Sequence, residues 1–156
     1  MTLPPVELGA FPRERAGELL TLQRAAYVTE AQLYADARLP ALTQTLPELV
    51  AELAGSSCLA AWHGPRLVGA VRTREVDGVL HIGRLVVAPD LQGHGIGSRL
   101  LAAAEAASGC ATATLFTGHL SEANLGLYRR RGYVETHREQ LSPTVELVHL
   151  AKQLVR

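Results

Sequence analysis

Three glycines alternate with other residues directly after an apolar segment, at Gly93, Gly95 and Gly97. Glycine tolerates the left-handed backbone conformations that let successive N–H groups point into one concavity. A helix is predicted to follow at 97–107, and its free N-terminal donors and dipole favour an anion. One glycine would suffice for a tight structural turn, so three favour a pyrophosphate site.

Two common nucleotide-binding motifs do not fit this segment. The spacing is not G-x-G-x-x-G, and the next predicted strand ends in FTGHL, without an acid to hold a ribose. The Gly-Lys-Ser/Thr of a phosphate-binding P-loop is also absent. A dinucleotide fold and a P-loop enzyme are therefore excluded.

Two motifs in the right order resemble the GNAT N-acetyltransferase superfamily. The segment Gln92-x-x-Gly95-x-Gly97 resembles its Q/R-x-x-G-x-G/A signature, and NLGLYRRRGY resembles its second motif. The resemblance is strongest over 79–134 and implies one domain over 1–156. It implies an α/β (α+β) fold, with a mixed, mostly antiparallel sheet of about six to seven strands flanked by helices. The central strands of that sheet would splay at an acetyl-CoA site.

The same resemblance implies which residues form the site. The backbone of three strand residues would pair with the pantetheine arm, the turn would hold the pyrophosphate, and Tyr128 would protonate the departing thiolate. Asn124 lies four residues before that tyrosine, whereas family members often carry an Asn seven before it, where this chain has Ser121. The implied cofactor-binding residues are Leu85, Val86, Val87, Gln92, Gly93, His94, Gly95, Ile96, Gly97, Ser98 and Asn124.

The base that deprotonates the amine is less well marked. His81 stands where some family members carry a glutamate, and strict alternation would place it on one face with Leu85 and Val87. Histidine titrates near pH 6.5, which suits proton removal, although a packed histidine is an equal alternative. Glu75 and His119 are weaker candidates. Alternation places Arg84 on the opposite face from His81, as an ion-pair residue or a substrate contact.

The predicted function is transfer of an acetyl group from acetyl-CoA to a primary amine of a small molecule or peptide, by direct attack in a ternary complex. A non-catalytic acyl-CoA-binding or sensing module is the alternative, and a longer acyl group is a further one. The run Arg129 to Arg131 is expected on a solvated helix face, with one arginine able to meet the 3′-phosphate of CoA. Formation of a homodimer is left open.

Composition excludes several partners. Lys plus Arg and Asp plus Glu number 15 each, which gives no general field for nucleic acid. No stretch approaches the ~20 apolar residues that span a bilayer. The N-terminus lacks the basic start of a leader, so a cytoplasmic protein without membrane partners is expected. Cys58 and Cys110 lack metal-ligand spacing and are expected as free thiols, with no metal.

Hydrophobic periodicity and turn residues predict the elements. Helices are expected at 13–27, 30–35, 97–107 and 122–131, and another helix should begin around Thr45 after a loop at 36–45. Strands are expected at 6–11, 58–63, 66–75, 79–87, 111–117, 133–141 and 145–152.

Overall fold

The computed structural model describes residues 5–155, so the first four residues of the segment examined for a leader lie outside the described part. The described strands form one sheet of seven in the order β1-β2-β3-β4-β5-β7-β6. All neighbours are antiparallel except β4 and β5. The strands are β1 Glu7–Ala10, β2 Ser57–His63, β3 Arg66–Val76, β4 Val79–Val87, β5 Thr112–Gly118, β6 Val134–Gln140 and β7 Glu146–Gln153.

The parallel pair at the centre of the sheet is held together at one end only. Val79 to His81 of β4 pair with Thr112 to Thr114 of β5, and the register stops there. Beyond this point β5 continues to pair with β7 as far as Gly118, while β4 continues to pair with β3. A wedge therefore opens between the two strands, which confirms the predicted splayed centre.

Helices cover the two faces of the sheet. Arg72 of β3 reaches Gln23 and Glu52 of the first and third helices on one face, called here the α1 face. A side chain at Gly69 would instead meet Leu100 of the fourth helix, on the opposite face. The helices are α1 Ala16–Leu33, α2 Pro40–Thr43, α3 Leu46–Ala54, α4 Ile96–Ala106 and α5 Glu122–Arg130.

Most predicted elements are confirmed within one or two residues, and the exceptions lie near the N-terminus. The two helices predicted at 13–27 and 30–35 are one continuous helix, α1, preceded by a 3₁₀ turn at Arg13–Arg15. No glycine or proline interrupts the chain between Tyr27 and Glu30, so nothing forces the helix to stop there. The predicted loop at 36–45 contains the short α2, and α3 begins with a capping box between Thr45 and Glu48.

A β-bulge interrupts β4 and corrects the alternation argument. Ala70 pairs with Val86 and Arg72 with Gly83, which leaves Arg84 and Leu85 together opposite the single residue Val71. Arg84 has a left-handed φ of 49°. The extra residue reverses the parity of the strand, because side chains alternate with a period of two.

The reversed parity moves two side chains. His81 pairs with Arg74 on the α1 face, whereas Leu85 and Val87 lie on the α4 face beside Gly97. The expectation that His81 shares a face with Leu85 and Val87 is therefore wrong. So is the expectation that Arg84 lies opposite His81, since Arg84 packs against Tyr27 of α1.

Candidate functional site

A cavity of about 500 Å³ lies where the wedge between β4 and β5 opens. Its wall comes from the end of β4, the glycine turn, the start of α4, one side of α1 and one side of α5. All but one of the predicted cofactor-binding residues line it: Leu85, Val86, Val87, Gln92, Gly93, Gly95, Ile96, Gly97, Ser98 and Asn124. The exception is His94, which is exposed and lies outside the lining.

The glycine turn has the backbone that its sequence requires. Gly93 and Gly95 have φ of 81° and 84°, and no atom lies within 4 Å of the position that a Cβ would take at either residue. α4 begins directly after Gly95, whose position carries no side-chain cap. The first N–H groups of α4 are therefore free to donate to a ligand, and the open space above the turn fits a pyrophosphate.

A side-chain hydrogen bond joins this turn to the end of β4. The side-chain amide of Gln92 donates to the carbonyl oxygen of Val87 at 3.3 Å. Gly97 lies between apolar side chains: a Cβ there would be 3.5 Å from Leu127 and 3.7 Å from Val87. The cavity is thus narrow and apolar on one wall and rich in donors on the other.

Arginines at the C-terminal end of α5 supply positive charge to the same cavity. Arg130 and Arg131 line it, while Arg129 points to Glu135 at 3.9 Å. The Nε of Arg131 is fully buried and makes no hydrogen bond within residues 5–155. An unpartnered buried guanidinium nitrogen fits a phosphate oxygen. Arg129 and Arg130 are exposed, as expected for a solvated helix face, and Arg131 is the half-buried exception.

Tyr128 lies behind the cavity wall. It is 6% exposed, and its ring packs edge-on against Tyr133. Its hydroxyl makes no hydrogen bond in the described part of the chain, yet the oxygen is not fully sealed from solvent. Burial, reinforced by the nearby Tyr27 and Glu30, raises the pKa of Tyr128 above its ordinary value. Both neighbours line the cavity, whereas Tyr128 itself is not a lining residue.

A hydrogen-bonded chain joins the end of α1 to the start of α5. Ser121 Oγ donates to a carboxylate oxygen of Glu30 and lies 2.7 Å from the Tyr34 hydroxyl. That hydroxyl also accepts from the N–H of Leu120 at 3.0 Å. Ser121 is therefore a structural residue outside the cavity lining, while Asn124 lines it and donates to Thr117 Oγ1 at 3.3 Å.

The candidate bases from the sequence do not line the cavity. His81 is exposed on the α1 face. Glu75 accepts a hydrogen bond from Ser108 at 2.8 Å, and His119 accepts one from the N–H of Glu146 at 3.0 Å. The last two side chains are occupied by structural contacts.

Sequence reasoning missed the contribution of α1. Tyr27 and Glu30 lie one turn apart on that helix and both line the cavity. The motifs start at β4, and nothing in the helical pattern of residues 16–33 distinguishes a cavity-facing Tyr or Glu from a solvated one. Their i, i+3 spacing was the one available signal.

A split parallel pair beside an anion-binding turn is the arrangement expected of a coenzyme A-dependent acyltransferase. A model of the acetyltransferase (GNAT) domain matches residues 31–154. The chain therefore belongs to the GNAT acetyltransferase family, an enzyme family whose acyl donor is acetyl-CoA.

Solved structures show the same fold at low identity. An N-acetyltransferase of Thermoplasma acidophilum in complex with coenzyme A has a TM-score of 0.76 at 16% identity, covering 96% of this chain and 99% of its own. A putative acetyltransferase of Salmonella typhimurium with acetyl-CoA has a TM-score of 0.74 at 15% identity, covering 96% and 94%. An N-acetyltransferase of Staphylococcus aureus has a TM-score of 0.78 at 13% identity, covering 97% and 99%. No protein of curated function matches the chain.

Two features are absent from residues 5–155. No group of three or more His, Cys, Asp or Glu side chains there is arranged to hold a metal ion. No helix in the same range is long and apolar enough to cross a membrane.

Proposed function

We propose that the chain is an N-acetyltransferase that transfers the acetyl group of acetyl-CoA to a primary amine of a small molecule or peptide. The observation that carries the proposal is the cavity at the split between β4 and β5, which the glycine turn lines with its free backbone donors. Tyr128 lies behind its wall, with Tyr27 and Glu30 of that wall as electrostatic neighbours. The Thermoplasma and Salmonella proteins, which share the fold, were solved with coenzyme A and acetyl-CoA.

The lining residues divide the binding task between them. The amides of 93–98 would hold the pyrophosphate, and the Arg130 and Arg131 side chains would neutralise phosphate charge. The backbone of Leu85 to Val87 has no strand partner on the wedge side, so its N–H and C=O groups would pair with the amides of the pantetheine arm.

Bound acetyl-CoA supplies an electrophilic thioester carbonyl and a thiolate leaving group. Tyr128 would donate its proton to that thiolate, because its raised pKa keeps it protonated at neutral pH. Direct attack is favoured over an acyl-enzyme, since neither cysteine lines the cavity and burial raises the pKa of the Cys58 thiol to about 11.

The test measures the release of free thiol from acetyl-CoA in the presence of a panel of primary amines. Mass spectrometry identifies and quantifies the acetylated amine. One thiol per acetylated amine is expected. If acetyl-CoA binds tightly but releases no thiol with any of the amines, the chain is instead a binding or sensing module. His81 as the base stays a prediction, and a pH–rate profile that is the same in His81→Ala would remove it.

A further inference from the structure

Arg84 carries a charge that nothing in the described structure neutralises. It is half-buried and makes no hydrogen bond or ion pair within residues 5–155. Its guanidinium lies over the ring of Tyr27, with the guanidinium carbon 5.9 Å from the ring centre. A cation that is withdrawn from water without an anion loses solvation free energy.

The backbone holds this charge in place at a conformational cost. Arg84 is the bulged residue of β4, with a left-handed φ of 49°. A non-glycine residue in this region is disfavoured by about 1 kcal/mol or more, and such residues cluster at functional sites. The bulge also aims the side chain to the α1 face, towards the helix that forms one wall of the cavity.

The carboxylate of Glu52 is paired with another arginine. Glu52 forms an ion pair with the buried Arg72, whose Nε lies 3.1 Å from Glu52 Oε1. Burial lowers the pKa of Arg72, Glu52 raises it and the charge of Arg84 lowers it further, so the two arginines are close enough to repel. Two cations thus share one anion, which leaves a surplus of one positive charge at Arg84.

A complementary charge lies along α1. Tyr27, which contacts Arg84, lines the cavity, and Glu30 lines it one helical turn further on. Arg84 itself is not a lining residue, but its guanidinium lies over a ring that is. From β4 along α1, a guanidinium beside the cavity is therefore followed by an aromatic ring and a carboxylate in its wall. An amine with a carboxylate of its own matches both ends of this wall, because guanidinium and carboxylate form paired hydrogen bonds.

We propose that the acceptor is an amine that also carries a carboxylate, such as a free amino acid, and that Arg84 binds this carboxylate. The inference rests on the proposed acetyltransferase function and names the substrate class of that same site. Arg84 selects the acceptor, and Glu30 faces its amino end.

The test compares matched acceptor pairs in the thiol-release assay: each L-amino acid against its own carboxamide, together with simple alkylamines. For the parent protein, kcat/KM for the preferred amino acid should exceed that for its carboxamide by about 10- to 100-fold, the range of a hydrogen-bonded charge pair. Arg84→Gln, which removes the charge and keeps a polar side chain, should reduce this ratio to about one, mainly through KM. Arg84→Lys should restore part of it.

Arg74→Gln is the matched control. Arg74 is exposed on the same face of the sheet and pairs with His81, away from the bulge, so its loss should leave the ratio unchanged. Thermal unfolding of each variant verifies that it folds.

Three results would overturn the inference. They are equal use of acids and carboxamides by the parent, a ratio unchanged in Arg84→Gln, or acetylation of alkylamines alone; each leaves the acetyltransferase function standing. Absence of thiol release with every amine, despite binding of acetyl-CoA, would instead overturn the proposed function and this inference with it.

Discussion

Burial sets the chemistry of Tyr128. The same desolvation that makes a phenolate expensive keeps the phenol protonated, so this residue is suited to donate and not to accept. Because the pKa of Tyr128 is raised, its hydroxyl loses its proton only at a higher pH than an ordinary tyrosine does. Between about pH 7 and 10 the Tyr128 proton should remain available while more of the amine becomes neutral.

Tyr128→Phe tests this role. We expect kcat to fall about 10²-fold or more, the usual effect of removing a general acid, with little change in the dissociation constant of acetyl-CoA. Tyr133→Phe is the control. It removes a hydroxyl from the ring that packs against Tyr128, but this hydroxyl donates to Glu105, outside the cavity. Equal turnover by Tyr128→Phe and the parent, where chemistry limits the rate, would make Tyr128 a packing residue.

At the scale of elements, the glycine turn allows the cost of backbone strain to be measured apart from the loss of room for a ligand. Gly95 in the turn and Gly78 in the β3–β4 hairpin both have positive φ, of 84° and 77°, and open space at the Cβ position. Alanine should cost about 1–2 kcal/mol of stability at either site. Only Gly95→Ala should also weaken acetyl-CoA binding, because only its methyl enters the cavity. Calorimetric titration of both variants measures this, and equal affinities would place the pyrophosphate elsewhere.

The elements also show what the sequence could predict. The turn, α4, α5 and the boundaries of β4 follow local rules of glycine, periodicity and capping, and they were predicted closely. The bulge at Arg84 has no recognisable signal in the local sequence, because the extra residue is defined only by the register against β3. The cavity wall contributed by Tyr27 and Glu30 was missed for the same reason: it depends on where α1 crosses the sheet.

At the scale of the whole molecule, the wedge divides the sheet into two parts that need a second connection. The strands β1–β4 and the group β5, β7 and β6 share three register pairs. Tyr34 supplies another link, because it follows α1 yet packs with Leu147 of β7 and hydrogen-bonds to Ser121 and Leu120 before α5. The cavity lies between the parts that Tyr34 joins, so this residue should set the width of the wedge.

Tyr34→Phe should therefore change stability and ligand affinity together. Loss of the hydroxyl leaves the N–H of Leu120 without its acceptor, while Ser121 keeps Glu30, and we expect a loss of about 1–3 kcal/mol in the free energy of unfolding. Thr45→Ala is the control: it removes the α3 cap at a cost of about 1 kcal/mol, on one side of the wedge only. Urea unfolding and acetyl-CoA titration should show weaker binding in Tyr34→Phe and parent-like binding in Thr45→Ala. If affinity is unchanged in Tyr34→Phe although its stability falls, the link supports the fold without shaping the cavity.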